Sequence, residues 1–287
     1  MKIGVSFVPT GNTYGRYGDA RYEKLREHGF AAVDLDYANT KVAPYVLSEE
    51  DFSAILARER ALAEKAGIMI SQVHGPWCWP PPACRTPEER ADSIEKTATS
   101  IRIAGELGSK YVVVHPFMPY GHDERATGLG EDTWEMNLEM FRALLPLAKE
   151  CGVTICLENM PFPLLSIASP DETVQFIKEI NDENFKMCLD TGHALFYSDM
   201  KVPDVVRKYG EYIKVFHIHD NNGGPHDEHL FPGLGIIDWV DFGAALNEIG
   251  FDGVFSLESK LPADADDATF ERKCRELATI ANDIVNG

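Results

Sequence analysis

The 287-residue chain has six cysteines, but no CxxC and no regular spacing among them. That excludes a zinc-ribbon pattern and a disulfide framework. Cys156 and Cys188 fall in apolar strand-like runs, where a reduced thiol behaves as a small hydrophobe; Cys78 and Cys84 share one loop and could pair or react there. Long hydrophobic runs are missing too. YVVV and ALLPLA are far shorter than the ~18 apolar residues a membrane helix needs. MKIGVSF enters a strand-like run without a basic region or a small-residue cleavage site, so no signal peptide and a cytoplasmic location are expected. Basic residues are scarce: 27 Lys and Arg face 46 Asp and Glu, a formal charge of −19. Nucleic-acid affinity rests on cations that neutralise phosphates, so this field disfavours a nucleic-acid partner, and no basic cluster offsets it. After the first strand, VSFVPTGNTYGRYGD lacks GxGxxG, which argues against a doubly wound sheet and a nucleotide cofactor. A small-molecule substrate is the expectation.

What is present is one unit repeated. Apolar, β-branched runs at Lys2–Phe7, Ala31–Asp36, Ile68–His74, Tyr111–His115, Thr154–Glu158, Lys186–Asp190, Ile213–His217 and Val254–Glu258 read as strands. Segments of helical period lie between them, among them Glu50–Ala66, Pro87–Leu107, Asp132–Glu150, Pro170–Ile180 and Trp239–Ile249. Gly29, Gly67, Gly108, Gly152 and Gly250 stand where a helix turns back into a strand, the place for a left-handed C-cap. Eight strands alternating with helical segments, with no linker or low-complexity break, predict an α/β fold, a single (β/α)8 TIM barrel over residues 1–287.

Reactive residues of such barrels stand at the C-terminal ends of the strands. Strands three and four end at His74 and His115, five at Glu158-Asn159, and six at Asp190-Thr191-Gly192-His193. Strand seven ends at His217-Ile218-His219-Asp220, and strand eight at Glu258. Any one of these has a bland reading as a hydrogen-bonded structural residue. Together they crowd carboxylates into one low-dielectric mouth, where repulsion and desolvation are severe unless a divalent cation resolves them. Histidine and carboxylate donors without cysteine suit Zn²⁺ or Mn²⁺, and Mg²⁺ less well.

The segments LEN, LDTGHA and FHIHDN, with the tail Asp227-x-His229-x-x-x-Gly233-x-Gly235, resemble the xylose isomerase-like TIM-barrel superfamily over nearly the whole chain. That superfamily includes sugar isomerases, ketose 3-epimerases, inosose dehydratase and endonuclease IV. The resemblance implies one divalent ion held by Glu158, Asp190, His217 and Glu258, with the two glutamates exchanging protons with the substrate. His193 matches a substrate-contacting histidine of the epimerases. Endonuclease IV, which binds three zinc ions, implies additional metal-binding positions at His74, His115, His193, Asp227 and His229. A homo-oligomer is compatible with the resemblance. The sequence departs from the isomerase branch in having no Arg or Lys in Asn221–Glu228, and arginine-rich DNA-contacting loops are not evident either.

Two activities follow. One is isomerisation or epimerisation of a sugar or polyol, with Glu158 and Glu258 as base and acid and the metal stabilising an enediolate. The other is hydrolysis of a phosphoester at a multinuclear zinc site, with DNA disfavoured by charge; a barrel that binds metal without catalysis is a third reading. In GPWCWPPPAC, Trp77 and Trp79 offer either a packed lid or a stacking surface for substrate. His219 is expected in contact with substrate or behind the ligands, and His226 in solvent.

Overall fold

The computed structural model describes residues 1–7, 13–36, 49–77, 84–121, 124–197 and 199–287. Its strands are β1 (Lys2–Phe7), β2 (Ala32–Asp36), β3 (Met69–His74), β4 (Tyr111–Val114), β5 (Thr154–Glu158), β6 (Phe185–Asp190), β7 (Ile213–His217) and β8 (Val254–Leu257). Each begins and ends within one residue of the sequence reading. The helices Glu49–Ala66, Pro87–Leu107, Gly130–Glu150, Pro170–Ile180 and Trp239–Glu248 agree within two.

All the ladders are parallel and run β7-β6-β5-β4-β3-β2-β1-β8. The last seam closes through Ile218, whose N–H donates to the Ser256 carbonyl at 2.8 Å and whose carbonyl accepts from Glu258 N–H at 2.9 Å. The result is the expected (β/α)8 barrel. Its helices are set by local chemistry. Thr86 with Glu89 and Ser169 with Glu172 form reciprocal capping boxes, each followed by Pro at the first helical position, and Gly108 ends its helix in the left-handed conformation.

Side chains alternate across a strand, so Cys156, Cys188 and Val215 share the inward face of Glu158, Asp190 and His217, two residues on. With Val113 they form a buried apolar floor beneath the polar ends. The outer core, between strands and helices, is aromatic, with Phe141, Phe176, Phe185, Phe216, Phe242 and Phe255 fully buried. This packing on both sides fixes the strand ends. Cys156 and Cys188 are free buried thiols, while Cys78 lies outside the described residues. Among the described residues no helix is long and apolar enough to cross a membrane.

Candidate active site

Glu158, at the end of β5, is the hub. Its carboxylate is 3.1 Å from His115 Nε2, 3.5 Å from His74 Nε2 and 3.3 Å from His217 Nδ1. His217 Nδ1 is also 3.3 Å from Glu258 Oε2. Ligand atoms of Glu158, Asp190, His217 and Glu258 all lie within 4.8 Å of one another, as do those of His74, Glu158 and His217. Burial alone would raise the carboxyl pKa of Glu158, but His217 and His115 hold it well below the usual range. Asp190 is lowered in the same way against its burial, by His193 and His219. His115 goes the other way: burial lowers it.

A second group stands beside the first. His193, His219, Asp227 and His229 also bring ligand atoms within 4.8 Å of one another. Asp227 Oδ2 lies 3.2 Å from His193 Nε2 and 2.9 Å from His229 Nε2. Burial works against charge on His193, but Asp190 and Asp227 outweigh it and bring the imidazole up to about 10. His74 and His229 are pushed up to about 9 against burial, chiefly by Glu158 and Asp227 respectively.

Three of these rings share an orientation. Nδ1 of His74 meets the Gly75 carbonyl at 2.8 Å, that of His193 the Asn159 carbonyl at 2.8 Å, and that of His229 the Glu258 carbonyl at 2.9 Å. A carbonyl only accepts, so Nδ1 carries the proton and each neutral ring aims the Nε2 lone pair at a carboxylate. Lone pair against carboxylate is repulsive unless a proton or a cation lies between. An outer nitrogen pinned on a carbonyl and an inner one facing carboxylates is an arrangement that metal-ligating histidines also use. His217 Nδ1 is buried between two carboxylates and makes no hydrogen bond, which fits the same need.

Neighbouring residues hold these groups in place. Asn159 donates from Nδ2 to the Asp190 carbonyl and accepts from Asp190 N–H, tying the ends of β5 and β6 together. Thr191 Oγ1 donates to the His219 carbonyl at 2.7 Å and accepts from His219 N–H at 3.0 Å. Asp220 accepts from Gly233 N–H, Ile237 N–H and Trp239 Nε1–H, clamping the loop after β7 at its base. Gly192 and Gly235 are there for space. A Cβ at Gly192 would overlap the His219 ring, and one at Gly235 would overlap Asp220 and Asn221. His229 carries a positive φ of 50°, a conformation costly for a non-glycine residue. It is held by the Lys260 N–H on its carbonyl and by the Asp220–Leu230 bridge beside it.

The clusters open into a cavity of about 670 Å³ lined by His74, Trp77, His115, Glu158, His193, Asp227, His229 and Glu258, with Met160, Pro161, Phe162, Phe196 and Pro225 as its apolar walls. Trp77 is 48% exposed at the mouth; Trp79 lies outside the described residues. Of the two alternatives for His219, the position behind the ligands fits: it is fully buried and does not line the cavity, its Nε2 is 3.0 Å from the Asp190 carboxylate, and its ring stacks on His229 at 4.0 Å. His226 is exposed to solvent as expected, at the wall of the cavity. The sequence reading passed over Asp34 on β2. It is fully buried inside the barrel, with Oδ2 3.1 Å from His217 Nε2. Its signal was a pair of aspartates in a strand that is buried at every position, AVDLD.

The fold is a (β/α)8 barrel with donor groups at its mouth that could hold a metal ion. The model of the xylose isomerase-like TIM barrel family matches residues 22–277, and the chain belongs to that family. It is 31% identical over 271 residues to the uncharacterized protein MJ1311 of Methanocaldococcus jannaschii, covering 92% of this chain and 86% of that protein. It is 27% identical over 202 residues to a D-psicose 3-epimerase of Ruminiclostridium cellulolyticum, covering 69% of this chain and 66% of that one. A crystal structure of a D-tagatose 3-epimerase-like protein superposes with a TM-score of 0.75 at 28% identity, covering 100% of this chain and 98% of that one.

Proposed function

We propose that the chain is a divalent-metal-dependent isomerase or epimerase of a sugar or polyol. The observation that carries this reading is the position of His217 Nδ1, buried and without a hydrogen bond, 3.3 Å from both Glu158 and Glu258, the two glutamates that line the cavity. Similarity to proteins named as ketose 3-epimerases supports the substrate class. Glu158, Asp190, His217 and Glu258 would hold the ion, Zn²⁺ or Mn²⁺ by donor type. Bound there, a divalent cation supplies Lewis-acid polarisation of neighbouring substrate oxygens.

The protein's part is proton transfer and placement. Glu258, with its side chain 21% exposed, reaches the cavity and is placed to take a proton from a substrate carbon. Glu158 stays ionised among its histidines and is the second proton-exchanging carboxylate. Trp77, Phe162 and Phe196 give apolar faces against which a sugar ring can stack and from which water is excluded.

A second reading, a multinuclear zinc hydrolase of phosphoesters, is favoured by one observation, the separate donor group His193, Asp227 and His229. Against it, the described residues lining the larger cavity include no Lys or Arg to meet a phosphate. Solvent deuterium incorporation into a panel of ketoses and inososes tests the first reading; incorporation at one carbon is the expected result. Close to three zincs per chain, with turnover of a small phosphodiester and no deuterium uptake, would move the assignment to the hydrolase.

A further inference from the structure

His217 differs from its neighbours in one respect. His74, His193 and His229 each rest Nδ1 on a backbone carbonyl and aim Nε2 at the carboxylates. His217 is reversed: Nδ1 faces Glu158 and Glu258, and Nε2 points across the barrel interior. No backbone carbonyl receives that outer nitrogen. The group that stands there is the Asp34 carboxylate, 3.1 Å away, although the contact is not an aligned hydrogen bond.

Asp34 is an unusual residue to find in this place. It is fully buried on β2, and its one hydrogen bond among the described contacts comes from Gln72 Nε2 on β3, at 3.1 Å to Oδ2. Its Oδ1 is buried with no partner. A carboxylate sunk so deeply costs several kcal/mol unless it is paired, and the nearest cationic or donor group on the far side of the barrel is His217. The pairing therefore runs from β3 through β2 to β7, beneath the cavity, and touches no substrate.

We infer that Asp34 is a positioning residue that accepts a hydrogen bond from His217 Nε2–H, fixing the tautomer that leaves Nδ1 as the metal-binding nitrogen. The carboxylate replaces the carbonyl used by the three other histidines. It also makes the imidazole a stronger donor, because a negatively charged acceptor on one nitrogen raises the electron density at the other. An amide in its place could instead donate to Nε2 and stabilise the opposite tautomer, with the proton on Nδ1 where the metal would bind.

This inference rests on the metal-site reading of the preceding section, and the test separates the two. Metal affinity of the full-length chain is measured by competition with a chromophoric chelator, using Co²⁺ alone as the probe and its visible spectrum as a report on coordination. The wild type is expected to bind Co²⁺. Asp34→Asn is expected to bind it about 10- to 100-fold more weakly, with a changed cobalt spectrum, while Asp34→Glu recovers part of the loss. A wild type that binds no Co²⁺ overturns the metal reading and this inference with it. Equal affinity and an unchanged spectrum in Asp34→Asn overturn the role of Asp34 alone. Should Asp34→Asn fail to fold, the wild type decides. With ¹⁵N-histidine labelling and ¹¹³Cd²⁺, His217, assigned by comparison with His217→Gln, is expected to show cadmium coupling at Nδ1 and a proton on Nε2. Coupling at Nε2 would overturn the assignment.

Discussion

Glu158 and Glu258 are both carboxylates at strand ends, yet their surroundings set them different tasks. Glu158 is enclosed by His74, His115, His193 and His217 and is 2% exposed, so every donor group of the first cluster depends on it. Glu258 meets His217 on one side and the open cavity on the other. Glu258→Gln keeps the volume and removes the charge. It is expected to cut deuterium exchange into substrate by roughly 10²- to 10⁴-fold, with much of the bound metal retained. Glu158→Gln is expected to lose exchange and metal together, because its amide can no longer neutralise the surrounding imidazoles. Elemental analysis beside the exchange assay checks both. Near-wild-type exchange in either variant would remove that glutamate from the chemistry.

At the scale of the element, the loop after β7 depends on a single buried carboxylate. Asp220 accepts four hydrogen bonds, from Asn221, Gly233, Ile237 and Trp239, and its own backbone pairs with Leu230. This holds Asp227 and His229 over the cavity. Asp220→Ala leaves four donors, three of them buried, without an acceptor, at a cost of about 1–3 kcal/mol for each that finds no water. The variant is expected to melt several degrees lower, which thermal melts would show. A variant with unchanged Tm would mean that the loop is held elsewhere. The sequence made much of this loop legible, because Asp-x-His and the closing glycines have a fixed spacing. It also placed the strand boundaries, since alternation and Gly C-caps are local signals. It was silent on Asp34, because a β-strand's periodicity says which face a residue takes and not what stands across a barrel from it. The choice for His219 between a substrate contact and a place behind the ligands stayed open in the sequence for a related reason. Its alternation is right, but the Gly192 backbone packs against its ring and Asp190 covers its Nε2, and both are tertiary contacts.

For the whole molecule, the clustered histidines link stability, protons and metal. In chelator-stripped protein, His74 and His229 titrate at about 9 and His193 at about 10, against ~6.5 for a histidine of the unfolded chain. These pKa values are raised in the folded state, so the stability they contribute is fully present below about pH 6.5. It is lost as pH rises through about 9 to 10. The stripped protein is therefore expected to melt at progressively lower temperature across that window. A divalent cation held by Glu158, Asp190, His217 and Glu258 acts in the opposite sense. It must displace the proton of His217, whose pKa is pushed well above its ordinary value against burial, and its charge disfavours the protons on the imidazoles beside it. Its affinity therefore grows as pH rises, and binding releases protons to the buffer. At a hundredfold excess over its Kd a ligand adds about 2.7 kcal/mol, or roughly 5–10 °C for a chain of this size. The rise in affinity widens the gap in Tm between loaded and stripped protein as pH goes from 6 to 8.5. Calorimetry on the two forms measures that gap, and titration in buffers of different ionisation enthalpy counts the protons released. A gap that stays flat or narrows with pH would mean that metal binds without releasing protons from these imidazoles.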